Sequence, residues 1–250
     1  MVRREGGGKV LGRQGRDSAG ARRSRRLGFG VLVGFGAIAI LLAAGEPLPR
    51  DADHDYDPPV PGSYSLPVIK AAADGVLLGS DDKAVSLSSL TRGRVTVLSF
   101  IYTRCAAPQA CPYATSVLGQ LHELSARDAT LAKNMRLLSI SFDPDYDTPQ
   151  RLASYAENVR EGKSGCEWSF LTGRSRAELE PILAAYDQAV DKRSNPADPQ
   201  GPLYHVVRVF LIDRQGRIRN IYSSGTLDVR LVLADVRTLL LDDSLGTKVK

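Results

Sequence analysis

Residues Val95 to Tyr102 (VTVLSFIY) form an eight-residue run without a charge, rich in β-branched and aromatic side chains. A strand that is apolar at successive positions presents apolar groups to both faces of its sheet, so both faces must be covered. This run therefore predicts a central, buried strand and rules out a sheet with one wet face. Arg136 to Phe142 (RLLSISF) reads as a second core strand. Between them, Val117, Leu118, Leu121 and Leu124 recur at helical spacing, which predicts a helix from Cys111 to about Arg127. Thr148 to about Arg160 is a further helix, with Thr148 as N-cap and Pro149 at the first position, where a missing N–H costs nothing. Ser169 to Leu171 reads as a short strand and Ser175 to about Tyr186 as a helix capped by Ser175. Val206 to Ile212 and Arg217 to Tyr222 predict two strands around the turn Asp213-Arg214-Gln215-Gly216, and Leu227 to about Leu241 a closing amphipathic helix.

Strands alternating with helices, then a hairpin and a last helix, argue one α/β domain of thioredoxin-like type, a central mixed sheet flanked by helices. Residues between about 63 and Val95 form an N-terminal extension to it, partly hairpin. We place the domain at 63–242, with 243–250 as a tail. Charge is divided unevenly along the chain. Residues 1–26 hold nine basic side chains against Glu5 and Asp17, while the rest carries 24 basic and 26 acidic residues. The net +5 thus comes from the tail, and a nucleic-acid partner loses its support. Leu27 to Ala44 (LGFGVLVGFGAIAILLAA) follows, eighteen residues without charge and just long enough to span a bilayer. Basic residues stay on the cytoplasmic side, so the expected arrangement is a single-pass inner-membrane anchor with the domain in the periplasm or another extracytoplasmic space. A cleaved signal peptide is the rival reading, given Ala43-Ala44-Gly45 and a weak twin-arginine likeness at Ser24 to Phe29. Both readings send the domain outside. Residues 45–62, rich in Pro and Asp, read as a semi-rigid tether in which His54 is solvated.

The chemistry-bearing segment follows the first central strand: Thr103-Arg104-Cys105-Ala106-Ala107-Pro108-Gln109-Ala110-Cys111-Pro112. Two thiols where a strand turns into a helix gain from the free N–H groups and positive dipole end of that helix, which favour thiolate. Thiolates attack disulfides and bind soft Cu(I). A purely structural bridge closing so short a loop would stabilise little, so Cys105 and Cys111 are read as a functional pair. Cys166 is the odd thiol, expected to be buried and inert. His122 is expected on a helix face. Asp143, Asp147 and Glu167 are explained by turn and capping chemistry rather than as an acid/base pair.

Several ordered segments together resemble the Sco/SenC family of membrane-tethered, thioredoxin-fold copper chaperones of cytochrome c oxidase assembly. They are Leu98-Ser99-Phe100-Ile101-Tyr102-Thr103-Arg104-Cys105, then Cys111-Pro112, then Ser141-Phe142-Asp143-Pro144-Asp145-Tyr146-Asp147-Thr148-Pro149, then Trp168-Ser169-Phe170-Leu171-Thr172-Gly173, and finally His205 to Asp213. The resemblance runs from about Tyr64 to Leu241. It implies a copper site, Cu(I) or Cu(II), ligated by Cys105, Cys111 and His205, with an oxidase subunit as client. The family spaces its cysteines as C-x-x-x-C, whereas five residues intervene here. His205 follows a loose, Pro-rich loop (Ser194 to Leu203) able to swing the imidazole toward the thiols, and Tyr204 offers a hydroxyl to orient the second ring nitrogen.

Three functions fit these residues. A copper metallochaperone needs both cysteines and His205. An extracytoplasmic thiol–disulfide oxidoreductase, the one enzymatic reading of weight, needs the cysteines alone and acts on a client dithiol. A peroxide-reducing relative of peroxiredoxins is weakest, because the P-x-x-x-[TS]-x-x-C pattern is missing before Cys105.

Overall fold

The computed structural model describes residues 54–246, so the basic tail, the apolar run 27–44, the first part of the linker and residues 247–250 lie outside the described residues. The chain begins with β1 (Lys70–Ala71), β2 (Val76–Gly79), β3 (Ala84–Ser86) and the short helix α1 (Leu87–Thr91). The predicted core alternation follows: β4 (Val95–Ile101), α2 (Cys111–Ala126), α3 (Ala129–Asn134), β5 (Met135–Ser141), α4 (Pro149–Arg160), β6 (Glu167–Thr172) and α5 (Arg176–Ala185). It ends with β7 (Val190–Lys192), β8 (Leu203–His205), β9 (Val209–Ile212), β10 (Arg217–Tyr222) and α6 (Val229–Gly246).

Eight strands form one mixed sheet in the order β1-β10-β9-β4-β5-β6-β2-β3. β4, β5 and β6 run parallel, and the remaining pairings are antiparallel. Every residue of β4 and β5 is buried, as their unbroken apolar runs require. α2 packs between α6 and α4, and its buried residues Ala114, Thr115, Val117, Leu118, Leu121, His122 and Ser125 make the inward stripe of an amphipathic helix. The Phe100 ring meets Tyr186 at 5.3 Å and Phe210 at 6.0 Å. This is the mixed α/β, thioredoxin-like architecture expected from the alternation. Among the described residues no helix is long and apolar enough to cross a membrane.

The caps fall where the sequence put them. Thr148 Oγ1 accepts from the Arg151 amide at 3.4 Å, and Ser175 Oγ from the Glu178 amide at 3.2 Å. α6 starts two residues later than expected because Asp228 caps it, accepting from the Arg230 amide at 2.8 Å. The N-terminal extension is split. β2 and β3 form the expected hairpin on one edge of the sheet, and β1 lies on the opposite edge beside β10.

Two expectations need correction. The strand predicted at Val206 to Ile212 begins only at Val209, and His205 closes a separate two-stranded ribbon in which Val190, Asp191 and Lys192 face His205, Tyr204 and Leu203. Residues 206–208 cross from ribbon to sheet, held by Gln188 Nε2 on the Val206 carbonyl at 2.8 Å and by Arg208 Nη1 on the Asp187 carbonyl at 2.6 Å. The linker is also no free tether from His54 onward. His54 is buried, its carbonyl accepts from Arg230 Nη2 at 3.1 Å, and the Arg230 guanidinium lies over the Tyr56 ring. Farther on, the Gly62 amide donates to Thr238 Oγ1 at 3.0 Å. An aperiodic Pro/Asp stretch can thus dock along a helix that offers it polar partners at intervals.

Candidate metal centre

β4 ends at Ile101, and the chain turns at once, the Cys105 amide donating to the Tyr102 carbonyl at 3.2 Å. Cys111 is the first residue of α2, whose N-cap, Ala110, has no side chain to satisfy the free amides. The five intervening residues do not separate the sulfurs. Ala106, Pro108 and Gln109 are exposed, and the Ala110 amide bonds the Ala107 carbonyl at 3.0 Å, so the extra length is taken up by an outward turn. His205 arrives from the end of β8. Its Nε2 lies 3.5 Å from Cys105 Sγ and 3.5 Å from Cys111 Sγ, and the three donor atoms all lie within 4.8 Å of one another. The three residues named from sequence are therefore brought together.

The two thiols are unequal. Cys105 is half-buried and Cys111 almost fully buried. The Cys111 thiol donates to Cys105, and this, with contributions from His205 and the backbone amides of Cys111 and Ala107, holds Cys105 well below the ordinary thiol value despite partial burial. Cys111 is driven upward, because its proton is held by Cys105, its surroundings are dry, and a second negative charge beside Cys105 is opposed. Of the reduced pair, the outer sulfur gives up its proton more readily than the one beneath it.

The imidazole is held by rings. Tyr102 meets it edge-on at 5.6 Å between centroids, and Phe142 lies tilted against it at 5.1 Å. Its second nitrogen, Nδ1, is buried without a hydrogen-bond partner among the described residues. Tyr204, expected to orient it, points elsewhere. It is 54% exposed and lies beneath the Arg193 guanidinium at 3.9 Å, because neighbours along a strand face opposite sides. Nor is the loop before His205 loose. The Gly201 amide bonds the Asp198 carbonyl, the Arg193 amide the Pro202 carbonyl, and the Ala106 amide of the cysteine loop the Gln200 carbonyl.

Asp147 does not cap a helix with its side chain. Its fully buried carboxylate accepts from the Thr103 amide at 3.0 Å, from the Thr103 hydroxyl, and from Ser141 Oγ at 2.5 Å, tying together the ends of β4 and β5. Burial pushes its pKa up against those bonds. Asp143 pairs with Arg104 at 2.6 Å, and Glu167 with Arg94 and Arg136 at 2.9 and 3.2 Å, so neither is an acid/base candidate. Cys166 is buried away from the donor trio, its thiol pushed up by burial, as expected of an inert cysteine. His122 lies on the inner face of α2, 5.7 Å from the Trp168 ring, with Nε2 3.3 Å from the Lys163 carbonyl. Sequence reasoning missed Tyr102, Phe142 and Asp147 as neighbours of the site. Tyr102 and Phe142 each directly follow a core strand, which places them at its C-terminal mouth.

The SCO1/SenC family model matches residues 73–241. The SCO1 protein homolog of Bacillus subtilis (strain 168) is 31% identical over 144 residues, covering 57% of this chain and 68% of that protein. Among solved structures, Arabidopsis thaliana ScoI with copper bound superposes with a TM-score of 0.58 at 20% identity, covering 69% of this chain and 99% of that one. BsSco, described as a member of the Sco family of cytochrome c oxidase assembly proteins with a disulfide switch, gives 0.57 at 24% identity, covering 71% and 98%. These two likenesses speak for the fold, and the matched family model, which spans most of the chain, speaks for descent. The chain belongs to the SCO1/SenC family.

Proposed function

We propose that this protein is a copper metallochaperone that works outside the cytoplasm and hands copper to a respiratory oxidase subunit during assembly of its copper site. The observation that carries this reading is the meeting of two sulfurs and one imidazole nitrogen within 4.8 Å. Two soft thiolates and an imidazole suit Cu(I), and with an open position Cu(II) as well. Copper is cargo here: Cys105, Cys111 and His205 hold it, and the half-exposed Cys105 is the ligand a client meets first. Family membership supports the reading, as do a plant ScoI with copper bound and the description of BsSco as belonging to a family of cytochrome c oxidase assembly proteins. On this reading residues 27–44 anchor the chain in the inner membrane with residues 1–26 in the cytoplasm. Residues 45–62 link the anchor to the domain at 63–242.

A second reading, an extracytoplasmic thiol–disulfide oxidoreductase without copper, is favoured by the unequal thiols. A low-pKa, half-exposed Cys105 above a buried Cys111 is the arrangement of an attacking and a resolving thiol. Complementation separates the two. In cells lacking this chain, His205→Ala should fail to restore oxidase activity as completely as Cys105→Ser and Cys111→Ser do. Restoration by His205→Ala but by neither cysteine variant would make the dithiol reading the better one.

A further inference from the structure

The imidazole reaches the sulfurs from a ribbon that is not part of the main sheet, so something must fix where that ribbon stands. Tyr102 is 1% exposed and lies immediately after β4, three residues before Cys105. Its hydroxyl donates toward two ribbon carbonyls at once, Gln200 and Leu203, at 3.2 Å each. Leu203 and His205 belong to the same three-residue strand. The Tyr102 carbonyl accepts the Cys105 amide, and its ring stands edge-on to the imidazole. The ribbon is shaped around this side chain: Gly201 sits at φ +103°, and a Cβ there would overlap the Tyr102 hydroxyl and the Arg104 carbonyl oxygen.

We propose that Tyr102 is the positioning residue that sets the approach of His205 to the two sulfurs, joining the cysteine loop to the ribbon through its hydroxyl. The proposal rests on the copper reading for its consequence, though not for its geometry. A buried tyrosine hydroxyl needs partners in any core, so the discriminating readout must follow His205 rather than stability.

The test uses the full chain with Tyr102→Phe, which keeps the ring, and Gly201→Ala, which disturbs the same contact from the ribbon side. The chain has three histidines, so the imidazole proton resonances of the reduced, metal-free protein are assignable with His205→Ala. In Tyr102→Phe the His205 signal should shift or broaden while those of His54 and His122 stay in place, and Gly201→Ala should move the same signal. Copper retention against a chelator should fall roughly tenfold in Tyr102→Phe, the scale of losing a residue that orients a ligand. An unmoved His205 signal in both variants would overturn the proposal. So would a fall in copper retention in Tyr102→Phe with the His205 signal of the metal-free protein in place, since Tyr102 would then act through the fold or the cysteines. If the unaltered chain holds no copper, the metallochaperone reading fails, while the metal-free resonances still decide whether Tyr102 positions the imidazole.

Discussion

Cys105 and Cys111 differ in chemistry because they differ in surroundings. The outer sulfur collects donors: a thiol, two backbone amides and the imidazole edge. The inner one keeps its proton by supplying one of them. A lowered pKa means that the deprotonated form persists as pH falls, so the outer thiol should remain nucleophilic in mildly acidic solution. Iodoacetamide should therefore label Cys105 first, at a rate that changes by no more than about twofold between pH 6 and 8. An unperturbed thiol with pKa near 8.5 would slow by about tenfold per unit below that value. Mass-spectrometric mapping checks both the site and the pH profile, and a tenfold-per-unit slope would show an ordinary thiol. Cys166 should label only on unfolding, since it is 2% exposed.

At the level of elements, what was legible depended on pattern length. β4 and β5 declare themselves through long apolar runs, and α4 and α5 through caps that bond as their sequences suggest. The β7–β8 ribbon was invisible because VDK and LYH are too short to show a period of two, and its tip looks like an ordinary Pro-rich loop. His205 therefore closes this ribbon instead of standing next to the strand that leads to Ile212, although the resemblance implies its place beside the cysteines. Buried polar brackets are equally hard to read, since an aspartate before a Thr-Pro helix start looks like turn chemistry. Asp147 instead fastens the mouth of β4 to that of β5. Asp147→Ala strips the acceptor from the half-buried Thr103 amide and hydroxyl and from the buried Ser141 hydroxyl, and should lower stability by about 2 kcal/mol. Denaturant unfolding measures this, and an unchanged midpoint would mean that the bracket contributes nothing.

For the molecule as a whole, the sequence divides into a basic tail, an apolar run and a mildly acidic remainder, and that division carries the proposal for location. The full chain should stay with the membrane fraction through alkaline extraction, while a chain beginning at residue 46 should be released. A shortened native form in the soluble extracytoplasmic fraction would instead identify residues 1–45 as a cleaved signal. The fold places two sulfurs at the mouth of its central strand and brings a histidine to them on a separate ribbon, and on the proposed function these three together hold copper. The most direct measurement is copper stoichiometry and retention for the reduced full chain beside Cys105→Ser, Cys111→Ser and His205→Ala. We predict one tightly held copper per unaltered chain and its loss in all three variants. Copper that binds weakly, or as well without His205 as with it, while Cys105 and Cys111 cycle reversibly through a disulfide, would contradict a copper-carrying role.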